Sequence, residues 1–391
     1  MKANGGAYMN YRKYLLEEVM PFWVNHALDR EEGGIITCLD KTGNIKDTTK
    51  NVWFVGRSLW SFSLAYRLAE PKPEYLEACE VLFSFLDKCT RPDGTLPFTC
   101  DRDGGNEHYR QLYYSEAFAA IGCAQYYRIC HKEEVWQRAE KFFDICYTFY
   151  QNPETKVPFP GDTIPYRCFG IEMIMLNLAQ FMRNAAEAEG KADPKYDALA
   201  KETIRQMIVG GHISDEEKVV REYLPITDTQ LQPPQLDYTC PGHVYEAAWF
   251  VLCEGEVQND DEIRALGFKL LDYALPEGFE KEISLVVTGI NDPDLNNYIW
   301  WPQCEAIVAY HLGYNISKNE KYLRIAKQLE EFSFAHFADH ENGEWYTEID
   351  KDGNVVNSDK GTILKGPFHL PRMLFGMMSL TENGDILTYM S

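Results

Sequence analysis

The segment CPGHVYEAAWF (240–250) puts an imidazole, a carboxylate and an indole on one helical face, with Glu246 at i+3 and Trp249 at i+6 from His243. A carboxylate one turn from an imidazole can select its tautomer and raise its basicity, which is what a general base needs. A second histidine lies in KGPFHLPRML (365–374), where His369 and Arg372 stand at i and i+3, so a titratable ring and a fixed cation can face one cavity. In NNYIWWPQCEAIVAY (296–310), Trp300 and Trp301 come before Glu305. Aromatic faces cover the C–H side of a pyranose while polar groups hold its hydroxyls, so this pattern suits a sugar. KNVWFVGRSLWSFSLAY (50–66) sets Arg57 between Trp53 and Trp60, a cation able to stabilise charge developing on a carbonyl oxygen. YYSEAF (113–118) adds Tyr114 and Glu116 as sugar contacts. Read one at a time, these segments also fit plainer roles: a helix cap, a core tryptophan pair, a snorkelling arginine.

Other chemistries lack their marks. The chain has no Gly-rich phosphate loop, no GxSxG nucleophile elbow and no HExxH zinc motif. The isolated HxxE at 243–246 supplies only two metal ligands. Acid–base chemistry without cofactor or metal is the expectation.

These residues need elements that bring them together. Apolar residues recur with a helical period in twelve segments, near 9–27, 50–69, 73–89, 111–130, 133–150, 168–187, 194–210, 243–255, 260–273, 301–315, 319–337 and 367–380. The alternating stretches 33–47 and 343–356 predict hairpins. No Pro- or Ser-rich linker divides the chain, so one domain over 1–391 is expected. Each even-numbered helix starts near aromatic residues and carries a polar group in its first turns: Arg57, Glu116, Glu172, Glu246, Glu305 and His369, returning about every sixty residues. This is a repeat of organisation without a clear repeat of sequence. Helix pairs closed in a ring, even helices inside, would gather these groups at one end of a central cavity. An open helical solenoid is the alternative.

Composition narrows the partners. A net charge of −22 works against phosphate backbones and anionic membranes, so neither nucleic acid nor a membrane is expected as partner. No stretch approaches an uncharged membrane span. Eleven cysteines without CxxC pairs read as core thiols in a reducing compartment, which implies a cytoplasmic location.

Four segments in order, GGIITCLDKTGNIKDTTKNVWFVGRSLWSFS, CPGHVYEAAWF, WWPQCEA and KGPFHLPRML, resemble the N-acylglucosamine 2-epimerase family, from about Tyr11 to about Met377. The resemblance implies an all-α fold, an (α/α)6 toroid of six helical hairpins with short β-hairpin loops. It implies His243 and His369 as the acid–base pair, with Arg57, Glu246 and Glu305 lining the same site and Arg372 matching the arginine of the FHxPR motif. A small sugar is the implied partner, bound among Trp53, Tyr114, Glu116, Trp249, Trp301 and Arg372. The implied reaction is proton removal and return at C2, with Arg57 facing the enediolate oxygen and the two histidines serving opposite faces. Cellobiose 2-epimerases carry a histidine-rich HLHxxEA segment on the sixth helix, whereas this chain reads FGIEMIMLNLAQ (169–180), which points away from a disaccharide. An aldose–ketose isomerase, an (α/α)6 glycosidase and a sugar-binding protein without turnover are the competing readings. A homodimer is implied by the resemblance alone.

Overall fold

The computed structural model of the 391-residue chain describes residues 9–107, 113–152, 166–225, 238–275 and 297–386. Twelve helical runs occupy the described residues. The first, α1, joins Tyr11–Tyr14, a π-helical stretch Leu15–Val19 and Met20–His26. The second, α2, joins Val52–Leu64 to a π-helical turn Ala65–Ala69. There follow α3 (Pro73–Cys89), α4 (Tyr114–Cys130), α5 (Glu133–Gln151), α6 (Phe169–Ala188), α7 (Pro194–Val209) and α8 (Pro241–Gln258). The last four are α9 (Asp261–Tyr273), α10 (Trp300–Ser317), α11 (Glu320–His336) and α12 (His369–Glu382).

Local chemistry sets these boundaries. Asn51, Asp193, Asp260 and Asn319 cap the N-termini of α2, α7, α9 and α11 with side-chain oxygens. α8 begins two residues before the expected 243, because Pro241 fits the first turn, where its missing N–H leaves no bond unmade. Pro241 and Gly242 therefore belong to the helix. The expected 111–130 helix is described from Tyr114; residues 111 and 112 lie outside the described residues.

The even-numbered helices form the inner ring. Each packs on the next, α2 on α4, α4 on α6, α6 on α8, α8 on α10 and α10 on α12, and α12 returns to α2. Burial explains the division. In Val52–Leu64 every residue but Arg57 is buried, as expected of a helix surrounded by others. α5 instead buries one stripe, Val135, Trp136, Ala139, Phe142, Phe143 and Cys146, and leaves its other face to solvent. The odd helices α3, α5, α7, α9 and α11 lie outside, each against the inner helix that precedes it in the chain, and α1 packs on α12. This is the (α/α)6 toroid. Two inner-ring glycines let α2 and α4 touch backbone to backbone: a Cβ on Gly56 would stand 2.5 Å from Phe118 C, and one on Gly122 would stand 2.5 Å from Gly56 O. That contact seats Arg57 beside α4.

Short strands lead the chain into the inner helices. β1 (Lys50–Asn51) pairs antiparallel with β2 (Thr99–Cys100) immediately before α2. β3 (Tyr166–Cys168) runs into α6 and pairs with β6 (Tyr223–Pro225), and β4 (Ile213–Ser214) pairs with β5 (Val219–Val220). β7 (Tyr298–Ile299) precedes α10 and joins β8 (Glu348–Ile349) and β9 (Val355–Asn357) in a three-stranded sheet. The hairpin expected at 343–356 is the β8–β9 pair. The one expected at 33–47 forms no ladder, only an isolated bridge from Leu39 to Ile45, and Leu39 also bridges to Gly361 across the fold.

These two loops share a sequence as well as a place. Asp29, Gly33, Thr37, Asp40, Gly43, Asn44 and Lys50 recur at one constant offset as Asp339, Gly343, Thr347, Asp350, Gly353, Asn354 and Lys360. Their bonds recur too: Lys50 Nζ meets Asp29 at 2.9 Å and Lys360 Nζ meets Asp339 at 3.0 Å, all four groups buried. The sequence repeat that helix spacing did not reveal lies in the loops. All eleven cysteines are unbridged, nine of them buried. Among the described residues no helix is long and apolar enough to cross a membrane.

Candidate active site

The inner-helix N-termini carry two imidazole clusters. At the start of α8, His243 Nδ1 lies 3.0 Å from Glu222 Oε1. Glu222 sits just ahead of β6, where its carbonyl accepts from Phe169 N and its amide donates to Tyr238 O. The same carboxylate oxygen accepts from Cys168 Sγ at 2.8 Å and from Gly170 N at 3.1 Å. Burial raises the cost of charge on Glu222, but the His243 ring and these donors outweigh it and hold its carboxyl below the usual range. Burial likewise opposes charge on His243. The Cys240 sulfur and the Glu222 carboxylate prevail and raise the imidazolium well above its ordinary pKa.

At the start of α12, His369 Nδ1 lies 2.7 Å from Glu305 Oε1 of α10. Here a guanidinium joins. Arg372 approaches the same Glu305 oxygen at 2.6 Å and also bonds Glu246 of α8. Trp249 Nε1 donates to the other Glu305 oxygen at 3.0 Å. Burial first, and then the Arg372 charge, drive His369 well below the ordinary imidazole range. The side chain of His243 is 27% exposed and that of His369 8%. Neither Nε2 makes a hydrogen bond to the described residues. Both rings lie against the half-buried Trp301, with centroids 5.5 Å and 5.3 Å from it.

Arg57 closes the constellation from α2. Its guanidinium lies over Phe118 at 4.0 Å and Phe368 at 4.6 Å, and its Nε has no hydrogen-bond partner among the described residues. Burial pulls its pKa down to about 9, opposed by Glu246 and reinforced by Arg372. Trp53 packs edge-on against Tyr114, with ring centroids 5.0 Å apart. The Tyr114 hydroxyl faces Gly170: a Cβ there would stand 3.0 Å from it, 3.0 Å from His243 Nδ1 and 3.1 Å from Glu222 Oε1. Only a residue without a side chain leaves these three groups unobstructed.

The structure thus gathers His243, His369, Arg57, Glu246, Glu305, Arg372, Trp301, Tyr114 and Trp53. Glu116 is not among them. It is fully buried, and its Oε1 accepts from Leu96 N at 2.8 Å, which holds the loop ahead of β2. Trp249 is fully buried as well and acts on Glu305. The i+3 pairing expected between His243 and Glu246 does not form. Glu246 bonds Arg372, and the partner of His243 is Glu222, twenty-one residues upstream.

A family model described as N-acylglucosamine 2-epimerase (GlcNAc 2-epimerase) matches residues 34–364. The chain belongs to this family. It is a sugar 2-epimerase, a carbohydrate isomerase. It is 28% identical to the N-acylglucosamine 2-epimerase of Bos taurus over 92% of this chain and 87% of that one. It is 25% identical to the cellobiose 2-epimerase of Dictyoglomus turgidum over 92% and 95% of the two chains. A crystal structure of D-mannose isomerase superposes with a TM-score of 0.81 at 20% identity, covering 95% of this chain and 98% of that one.

Sequence reading of this epimerase missed Glu222, Cys168 and Gly170. Nothing in VVREYLP (219–225) marks Glu222, because a strand that meets a helix only in three dimensions leaves no spacing to read. Among the described residues, two clusters bring metal-binding donors together: Glu222, Cys240 and His243, and Glu246, Glu305 and His369. In the second, Arg372 already occupies the carboxylate oxygens, so a cation there would have to displace a buried guanidinium.

Proposed function

We propose that this epimerase interconverts N-acylglucosamine and N-acylmannosamine by moving the C2 proton between His369 and His243. One observation carries the reading: two imidazoles share Trp301, each has Nδ1 held by a buried carboxylate, and each has Nε2 unbonded by the described residues. A carboxylate on Nδ1 fixes the proton there and leaves Nε2 for the substrate. In the open-chain sugar the C1 carbonyl acidifies C2–H. Neutral His369 takes that proton at Nε2, and the C–H electron pair moves into the C1–C2 bond while charge collects on O1. Arg57, a cation over aromatic faces with a donor to spare, stabilises that oxygen. The His243 imidazolium then gives its Nε2 proton to the opposite face of C2. The reverse reaction uses the opposite protonation of the pair.

The acylated hexosamine is favoured by the likeness to the mammalian N-acylglucosamine 2-epimerases and by an α6 that buries Met173, Ile174, Met175 and Leu176 where the HLHxxEA motif would put histidines. Eleven unbridged thiols support a reducing, cytoplasmic setting. NMR in deuterated water tests the reaction. N-acetylmannosamine and N-acetylglucosamine should interconvert with deuterium entering C2. A ketose formed from mannose or glucose, with no change in the acylated sugars, would replace this reading with aldose–ketose isomerisation.

A further inference from the structure

The His243 corner has a feature that proton transfer does not require. Around one imidazole stand a sulfur and a carboxylate, and a second sulfur lies against that carboxylate. Donor atoms of Glu222, Cys240 and His243 all lie within 4.8 Å of one another, and Cys168 Sγ is 2.8 Å from Glu222 Oε1. Glu222 is 2% exposed, and its second oxygen, Oε2, has no hydrogen-bond partner among the described residues. A buried carboxylate oxygen left over in this way has unused capacity to ligate. Thiolate, imidazole and carboxylate in tetrahedral reach form a donor set that suits zinc and its thiophilic neighbours, and does not suit magnesium or calcium.

We propose that Cys240, Glu222 and Nδ1 of His243 form a three-donor site for a zinc-class divalent cation, and that its occupation silences His243. Binding removes the Cys240 thiol proton and the Nδ1 proton, so the ion and the Nδ1 proton compete for one place. Once Nδ1 is metallated, Nε2 carries the remaining ring proton and has no lone pair with which to accept one from C2. The His243 side chain, 27% exposed, leaves the ion a path to the site, and a chain of net charge −22 attracts cations. Coordination rests on the donor geometry alone. Inhibition rests in addition on the role proposed for His243.

The full-length protein, stripped with a chelator under reducing, anaerobic conditions, is titrated with Co²⁺. One equivalent should produce a near-ultraviolet thiolate-to-cobalt band, which Zn²⁺ displaces. Cys240→Ser should lose most of that band, the variant being checked for the wild-type circular dichroism spectrum. If Cys240→Ser does not fold, Glu222→Gln is titrated in its place and should bind Co²⁺ more weakly. Zn²⁺ should stop interconversion of the two sugars in the wild type, leaving C2 exchange with one epimer as in a variant that lacks His243, and chelator should restore it. A wild-type protein with no thiolate band at one equivalent, or an unchanged band in these variants, overturns the site whatever the activity. A band with undiminished interconversion under saturating Zn²⁺ overturns the inhibition and the acid–base role of His243, and leaves the coordination standing.

Discussion

His243 at the head of α8 and His369 at the head of α12 each rest Nδ1 on a buried carboxylate, yet their surroundings push their charges in opposite directions. Glu222 takes its other bonds from a thiol and a backbone amide, both uncharged, so its negative charge remains available to His243. Glu305 shares one oxygen with the Arg372 guanidinium, which cancels that charge before it reaches His369. A carboxylate partner alone therefore does not decide whether an imidazole is charged. Burial and the other charged groups around each ring decide it: the Cys240 sulfur adds to Glu222 at His243, and Arg372 adds to burial at His369. In the proposed scheme, where a proton leaves one face of a carbon and returns to the other, this asymmetry supplies one ring ready to accept and one ready to donate.

The largest effect should come from removing a ring. His243→Asn or His369→Asn should lower net epimerisation by about 10²–10⁴-fold, the usual contribution of a positioned acid or base. Each mutant should retain C2 exchange with one epimer only, and the two should prefer opposite epimers, as read by deuterium incorporation. Near wild-type interconversion in both would end the two-histidine scheme.

Next is the cation that separates the corners. Arg372→Met leaves Glu246 and Glu305 buried without their partner and should cost about 3–5 kcal/mol in denaturant unfolding, as for other broken buried ion pairs. In whatever folds, His369 should become easier to protonate. The acid limb of the rate profile should then move to higher pH; an unmoved limb would show that Arg372 does not set the charge of His369.

The pH dependence sharpens the contrast. With His369 depressed and His243 raised, wild-type kcat/KM should fall only well below the ordinary imidazole pKa and again only well above it, leaving a broad plateau around neutrality. Glu222→Gln should bring the alkaline limb down and leave the acid limb in place. Stability follows the same signs. The raised His243 contributes stability that is full below its unfolded pKa and is lost as pH rises through its folded value. The depressed His369 contributes stability present above its unfolded pKa and lost as pH falls through its folded value. Melting curves of the two Asn variants against pH should show these opposite losses removed.

The smallest effect is steric. Gly170→Ala sets a methyl 3.0 Å from both the Tyr114 hydroxyl and His243 Nδ1. Overpacking of that kind costs roughly 1–3 kcal/mol. It should raise KM and disturb the His243 corner while the acid limb, owned by His369, stays where it is. A shift of the acid limb would mean that the two corners are mechanically coupled.

Much of the architecture could be read from local patterns. The expected helix limits fall within a few residues of those observed, as for 73–89 against Pro73–Cys89 and 260–273 against Asp261–Tyr273, because caps and apolar periodicity act over one or two turns. The sixty-residue return of polar groups also pointed to the inner ring, but it could not say which groups face the cavity: Glu116 holds the Leu96 amide and Glu172 takes the Tyr150 hydroxyl. The repeat between the Asp29 and Asp339 loops lay in plain sight outside the helical pattern.

By itself the sequence determined that helices pair and alternate in burial, and that two histidines, an arginine and two carboxylates stand near the starts of inner helices. The tertiary structure decided their partners. Glu246 is one helical turn from His243, and that spacing made the pair look ready-made. Arg372, brought across from α12 and buried, stays charged and needs anions, so it takes Glu246 and shares Glu305. His243, left without its neighbour, bonds a carboxylate from the strand region before β6. Spacing along a helix tells which side chains can meet. Where charges are buried, competition among all that the fold brings within reach settles which ones do.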